Sequence, residues 1–275
     1  MKKLFITAAL ASTCLLAGAQ DMMSKKGTPI LPEAGDWSIG VDATDMIRYF
    51  GNLFTKDANN NSSLSPQINQ TLTGLYVKDE TTAFRVKLRI GFGSQTENAL
   101  VNDDGSTSTP PATVTDTWKA SENNFTIGAG LQKSRGKGRL HGIYGAELMI
   151  GLGGSKDVYT YGNSFTSSHP SPTTNDFGSN IVGNGRVTEA KNGSTFNFGL
   201  DGFIGAEYFF APKMSLSGEY AWGLMMSSTG EGENTVESLN SNGDGGTKTT
   251  TKTGKSSSFG LDVTNIGSIT LHFYF

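Results

Sequence analysis

The sequence predicts an all-β fold: an eight-stranded antiparallel transmembrane β-barrel, an up-and-down meander with short periplasmic turns and long outer loops. Three observations carry this expectation. From Gly267 to Phe275 apolar and polar residues alternate strictly, putting Ile269, Leu271, Phe273 and Phe275 on one face. Similar alternating segments recur along the chain, and the stretches between them are short and long in turn. A strand with a lipid-type face cannot leave its backbone edges unpaired in hydrocarbon, so the arrangement that satisfies it is a closed barrel.

The first segment to account for is residues 1–19. Lys2 and Lys3 form a basic start, Leu4 to Leu16 is an apolar run too short to span about 30 Å of hydrocarbon, and Ala17-Gly18-Ala19 is a small-x-small site. A secretory signal peptide is expected, with a mature N-terminus at Gln20 or Asp21. A lipoprotein reading at Cys14 is disfavoured because Thr13 is bulky where lipid attachment wants a small residue. Loss of Cys14 would leave no cysteine, hence no disulfide and no thiolate metal site. Residues 20–34 read as a periplasmic tail, and the barrel is expected over 35–275.

The first predicted strand runs from Trp37 to Phe50, with Trp37, Ile39, Val41 and Ala43 on one face and Ser38, Gly40, Asp42 and Thr44 on the other. The second, Asn69 to Val77, has a tolerable apolar face in either parity. The third, Thr82 to Ser94, is the clearest: Phe84, Val86, Leu88, Ile90 and Phe92 alternate with Arg85, Lys87, Arg89 and Gly91. The fourth carries Phe125, Ile127, Ala129 and Leu131. The fifth carries Leu140, Tyr144, Ala146, Leu148, Ile150 and Leu152. Phe196, Phe198, Leu200, Ile204, Ala206, Tyr208 and Phe210 mark the sixth, and Leu216, Tyr220, Trp222, Leu224 and Met226 the seventh. Phe259, Leu261 and Val263 share the parity of the terminal residues, so the eighth begins near Ser257. It is then about twice the 9 to 11 residues a bilayer needs, and part of it is expected to stand above the membrane.

Short turns fall at Lys78 to Thr81, Arg135 to Gly138 and Ala211 to Lys213. Long segments rich in Ser, Thr, Asn and Gly run from Asn52 to Ile68, Gln95 to Asn123, Gly154 to Gly193 and Ser227 to Ser256. They are expected to be loops too poor in apolar residues to fold tightly.

Charge placement separates a membrane barrel from a secreted sandwich or lipocalin-like barrel. On the apolar faces only Asp45 breaks parity, as a bulge or a rim position. Asp42, Arg48, Arg85, Lys87, Arg89, His141, Glu147, Asp201, Glu207, Glu219, Asp262 and His272 lie on the opposite faces. Such a set is intolerable in an apolar core. In a narrow lumen, acids and bases pair and avoid most of the several kcal/mol per ion that isolation costs, and eight strands enclose a space just wide enough to be filled by side chains. A salt-bridged plug is expected, with Arg85, Lys87 and Arg89 pairing with acids such as Glu147, Asp201 and Glu219. An anion filter formed by the same row is the lesser alternative.

Composition agrees. Hydrophobic residues are 36% of the chain, ordinary where only alternate positions are apolar, and Gly at 36 of 275 is well above the usual share of about 7%. Without Lys2 and Lys3, 20 basic residues stand against 25 acidic ones, a net charge of −5 that argues against a nucleic-acid partner.

The opening Gly35 to Ala43, the hairpin Glu207-Tyr208-Phe209-Phe210-Ala211-Pro212-Lys213 and the ending Leu271 to Phe275 resemble the outer-membrane β-barrel domain family of Gram-negative bacteria, the small barrels of OmpA-like or OmpX-like architecture. The resemblance implies a location in the bacterial outer membrane among its lipids. It also implies that the barrel-assembly machinery reads the C-terminal strand through Phe273 and Phe275. It implies no reaction, because members of this architecture serve as structural barrels, adhesins, narrow channels and a few enzymes.

Candidate chemistry is sparse. His141 and His272 fall near the periplasmic ends of their strands, and His169 shares a loop with Ser168, Asp157 and Asp176, where solvated polar side chains are the simpler reading. Asn240 to Gly245 imitates the start of a calcium loop, but Thr251 occupies the position of the twelfth-residue acid. Neither an enzyme nor a cofactor nor a metal is expected. The expected role is structural, or surface recognition of an unidentified extracellular ligand through the loops; the alternative is a narrow channel for small or hydrophobic solutes.

Overall fold

The computed structural model describes residues 23–24, 26–44, 71–262 and 267–275. The predicted signal peptide (residues 1–19), Asp45, Arg48, the end of the first predicted strand, the predicted loop from Asn52 to Ile68 and Val263 lie outside the described residues. The fold is all-β and antiparallel. Its strands are β1 (Trp37–Asp42), β2 (Thr71–Asp79), β3 (Thr82–Asn102), β4 (Thr113–Lys137), β5 (Leu140–Thr160), β6 (Ile181–Val182), β7 (Gly185–Lys191), β8 (Thr195–Ala211), β9 (Met214–Thr229), β10 (Gly232–Leu239), β11 (Gly246–Thr253), β12 (Ser256–Asp262) and β13 (Gly267–Tyr274). Among the described residues no helix is long and apolar enough to cross a membrane.

Eight of these strands close a ring in the order β1-β2-β3-β4-β5-β8-β9-β13, with β13 returning to β1 through pairs such as Ser38 with Tyr274 and Val41 with Leu271. Register through β3, β4 and β5 is uninterrupted from Thr82 to Asn102 and from Thr117 to Lys137, so side-chain parity carries over the whole length of these strands. Phe84, Val86, Ile90, Phe125, Ile127, Leu131, Leu148, Leu152, Phe198, Leu200, Trp222 and Leu224 are exposed on the outward face, while Arg85, Gln132, Glu147, Asp201 and Glu219 are buried on the inward one. At about 3.3 Å per residue, Phe84 to Phe92 covers about 26 Å of strand. β2 takes the parity that buries Leu75 and Val77 and turns Leu72 outward, which decides what the sequence left open.

Several expectations need correction. The first strand ends at Asp42, where Asp42 Oδ1 accepts the Thr44 N–H at 2.8 Å. The turn breaks the alternation, so Ala43 is buried instead of facing outward. β12 and β13, the two described parts of the eighth predicted strand, both pair with β9, and residues 263–266 between them lie outside the described residues. The larger correction concerns the loops. Gln95 to Asn123 is mostly the paired continuation of β3 and β4, the stretch from Gly154 to Gly193 contains the end of β5 with β6 and β7, and that from Ser227 to Ser256 contains β10 and β11. Backbone ladders hold these segments without an apolar face, because their N–H and C=O groups pair across strands.

β7 and β8 are two segments of one antiparallel neighbour of β5, since β8 pairs with β5 up to Gly153 and β7 from Lys156 onward. β10 and β9 line up on β7 and β8 in the same way, followed by β11 and β12. Asn192-Gly193-Ser194, Gly230-Glu231 and Gly254-Lys255 interrupt the three composite strands at one level, beside Gly154-Ser155 of β5. Glycine is required in that seam: a Cβ on Gly193 would lie 2.0 Å from the Gly230 carbonyl oxygen. Above it, β3, β4, β5, β7, β10 and β11 continue as a six-stranded wall.

The described end of the stretch read as a tail, around Ile30, is part of the packed structure. Ile30 is 1% exposed and packs in a cluster with Leu75, Val77, Ala83, Phe209 and Tyr274 at the end of the ring where the short turns lie. Lys213 holds it from the β8–β9 turn: its N–H donates to the Ile30 carbonyl at 3.1 Å, and its ammonium pairs with Asp36. Ile30→Ala is expected to destabilise the fold by about 2 to 3 kcal/mol, the cost of a buried aliphatic truncation. Urea titration of the refolded protein checks this, and an unchanged midpoint would show that the segment is not part of the folded unit.

Candidate functional site: a charged interior

Inward parity on three neighbouring strands and on β9, which faces them across the ring, delivers the central cluster. Arg85 and Lys87 come from β3, Gln132 from β4, Glu147 from β5 and Glu219 from β9. Arg85 Nη2 donates to Glu219 Oε1 at 2.6 Å, its Nε lies 3.2 Å from Glu147 Oε2, and its Nη1 donates to Gln132 Oε1 at 3.3 Å. Lys87 Nζ reaches Glu147 Oε1 at 2.6 Å and Glu219 Oε1 at 3.2 Å. Each cation therefore meets both acids, and each acid both cations. Ser268 Oγ adds a bond to Glu219 at 3.2 Å, and the Arg85 guanidinium lies 4.4 Å from the Phe203 ring centroid. Each buried ion faces two opposite charges, which offsets much of its desolvation, although Arg85 Nε and Glu147 Oε2 meet through an ionic contact without a formed hydrogen bond.

The other predicted residues fall around this layer. Asp201 is buried in register with Glu147 across β5 and β8, and Arg89 follows Lys87 on the same face; both are engaged. Glu207 lies nearer the turn end and takes no direct ion pair among the described residues; Ser215 Oγ donates to it at 2.5 Å and Tyr274 Oη at 2.7 Å. Asp42 caps the turn after β1, Arg48 lies outside the described residues, and Asp262 is described through its backbone pairing with Gly223. Phe273 and Phe275 face outward. His272 is buried, with Nδ1 3.5 Å from Ser38 Oγ, and Phe209 and Ile143 fill neighbouring interior space. With Ile30 beneath them, these side chains occlude the turn end.

At the opposite end the structure reveals a cluster that the sequence reading missed. Asp116, fully buried on the inward face of β4, accepts bonds from Gly162 N–H at 2.9 Å and from Asn175 N–H and Thr174 Oγ1, each at 2.8 Å. These bonds fold the segment after β5 onto the wall. Trp118, Tyr159 and Phe177 pack together there with centroid separations of 6.2 to 6.3 Å, and Trp118 Nε1 donates to Asp157 Oδ1 at 2.9 Å. Arg186 lies 4.2 Å from the Tyr161 ring centroid and 4.9 Å from that of Phe165, and pairs with Glu237 at 3.0 Å. Burial pushes the Tyr161 hydroxyl up to about 12, so it stays a donor to the Val187 carbonyl at 2.5 Å. The shared inward parity of Trp118 and Asp116 was the available signal. It was obscured because the outward positions beside them, Thr115, Thr117 and Lys119, are polar as well.

Between the central layer and this outer cluster lies a cavity of about 490 Å³. Its lining includes Gly91, Glu122, Asn124, Gly153, Ser155, Thr195, Asn197 and Thr229. The loop candidates from the sequence do not converge on one site: His169 Nδ1 lies 3.2 Å from Ser168 Oγ, while Asp157 binds Trp118 and Asp176 accepts the Gly178 N–H. Among the described residues no group of three or more His, Cys, Asp or Glu is placed to hold a metal ion. No protein-family model and no curated protein matches the chain.

Proposed function

We propose that the chain is an integral bacterial outer-membrane protein, an eight-stranded transmembrane barrel whose role is structural or surface-recognising, with a lumen closed to steady flow. The observation that carries this reading is the contrast between the two faces of one ring. Large apolar side chains stand exposed around its outside while Arg85, Lys87, Glu147 and Glu219 pair within. A water-soluble protein would hide the first set and expose the second; a bilayer reverses the requirement. The outward band, about 26 Å along β3 and longer on β8, suits an apolar layer about 25 Å tall once the strand tilt is applied.

Surface recognition fits the wall above the seam. Its buried hydrogen bonds at Asp116, Asn163 and Asn180 hold a folded surface in place of the mobile loops expected from composition. A preordered surface binds without the entropy cost of ordering a loop. No reaction is part of the proposal.

The test is electrical. Refolded protein in planar bilayers is expected to show little or no steady conductance, because the charged layer and the Ile30 cluster both cross the path. Glu219→Gln is expected to raise leak by weakening the hold on Arg85 and Lys87. Large, stable, ion-selective currents from the unmodified protein would favour the channel alternative.

A further inference from the structure

We propose that the cavity above the charged layer is a binding site for a short neutral saccharide. Its location is set by the fold: it lies where β5 exchanges β8 for β7, at the level of the glycine seam. At about 490 Å³ it falls within the usual range for small-molecule sites, about 300 to 1,000 Å³.

The lining selects the ligand class by exclusion and by fit. Among the described residues it presents carboxamides, hydroxyls, glycine backbone and the single carboxylate of Glu122, with no aromatic and no cationic side chain. An apolar ligand would strand those amides without partners, which is costly. An anion would meet Glu122 with no counter-charge in the lining. A polyol suits it, because every sugar hydroxyl both donates and accepts and replaces the water it displaces bond for bond.

Part of the lining is already pre-set. Thr195 and Thr229 hydroxyls lie 3.0 Å apart, Asn192 Nδ2 donates to Ser155 Oγ at 2.7 Å, and Asn124 Oδ1 accepts from Thr126 at 3.2 Å, leaving the Asn124 amide N–H groups to donate inward. Glu122 and Asn197 have no side-chain partner among the described residues. They supply the free groups, a carboxylate to accept from two neighbouring hydroxyls and an amide to do both. Gly91 and Gly153 let a flat sugar ring approach the strand backbone.

Access from the cell exterior rests on the outer-membrane reading, whereas the binding chemistry does not. The test therefore uses the full chain refolded in detergent micelles, titrated calorimetrically with maltotriose and separately with spermidine. Saturable one-to-one binding of maltotriose is expected, weakened about fivefold by Glu122→Gln and about tenfold by Asn197→Leu, with an unchanged circular dichroism spectrum. Three results would each overturn the site: no maltotriose binding, saturable binding of spermidine alone, or maltotriose binding indifferent to Glu122→Gln. Glu122 is exposed, so that variant decides the matter even where Asn197→Leu fails to fold. Failure to insert into vesicles, with sugar binding intact in micelles, would defeat the membrane reading and leave the site standing.

Discussion

Arg85→Met is expected to cost about 3 to 5 kcal/mol of folding stability, the range for breaking a buried ion pair from one side. The loss comes less from the missing attraction than from what is left behind. Glu219 and Glu147 stay buried with Lys87 as their remaining shared cation, and Gln132 loses its donor. Arg85→Lys separates charge from shape: an ammonium keeps the charge but cannot reach Glu147, Glu219 and Gln132 at once or lie flat on Phe203, so an intermediate loss is expected. Arg85→Met combined with Glu219→Met removes both charges and is expected to recover much of the loss. Urea-titrated folding in lipid vesicles gives all three values. A double variant no better than Arg85→Met would mean that the pair is not the unit of stability.

The second expectation compares neighbouring residues on opposite faces of β3. Leu88→Arg places a cation on the outward apolar band, where about 2 to 4 kcal/mol is the cost near a bilayer midplane. Arg89→Leu loses inward pairing but adds an apolar side chain to a space walled by other side chains, so a smaller loss is expected. The same vesicle titration measures both. Equal or reversed costs would contradict the outward assignment of Leu88 and, with it, the proposed membrane setting.

What the sequence disclosed depended on whether the two faces of a strand see different surroundings. Around Phe84 to Phe92 they do, and apolar alternation revealed strand, parity and inward charges together. Between Gln95 and Asn123 both faces are polar. The periodicity then vanishes although the pairing continues, and a paired wall reads as a loop. Ile30 was invisible for another reason: with Leu31 it forms a short apolar pair in a segment with no period, buried through contacts with Leu75, Phe209 and Tyr274 far away in sequence. The candidate interior was legible as a list, including Arg85, Lys87, Glu147 and Glu219, because parity assigns a side. Which acid meets which base depends on strand stagger around the ring, and alternation along a single strand carries no information about stagger. Asp116 and Arg186 escaped because their partners lie in the irregular stretch after β5.

The glycine seam has a consequence for how such a protein can change. The pairing order on either side of it is the same, with β7, β10 and β11 continuing the ranks of β8, β9 and β12. The interruptions release those strands from the exact pitch required below. The seam is thus a splice line: material above it can be lengthened, shortened or exchanged by whole hairpins while ring closure between β1 and β13 is untouched. A surface under pressure to vary can then diversify without renegotiating the closure of the ring.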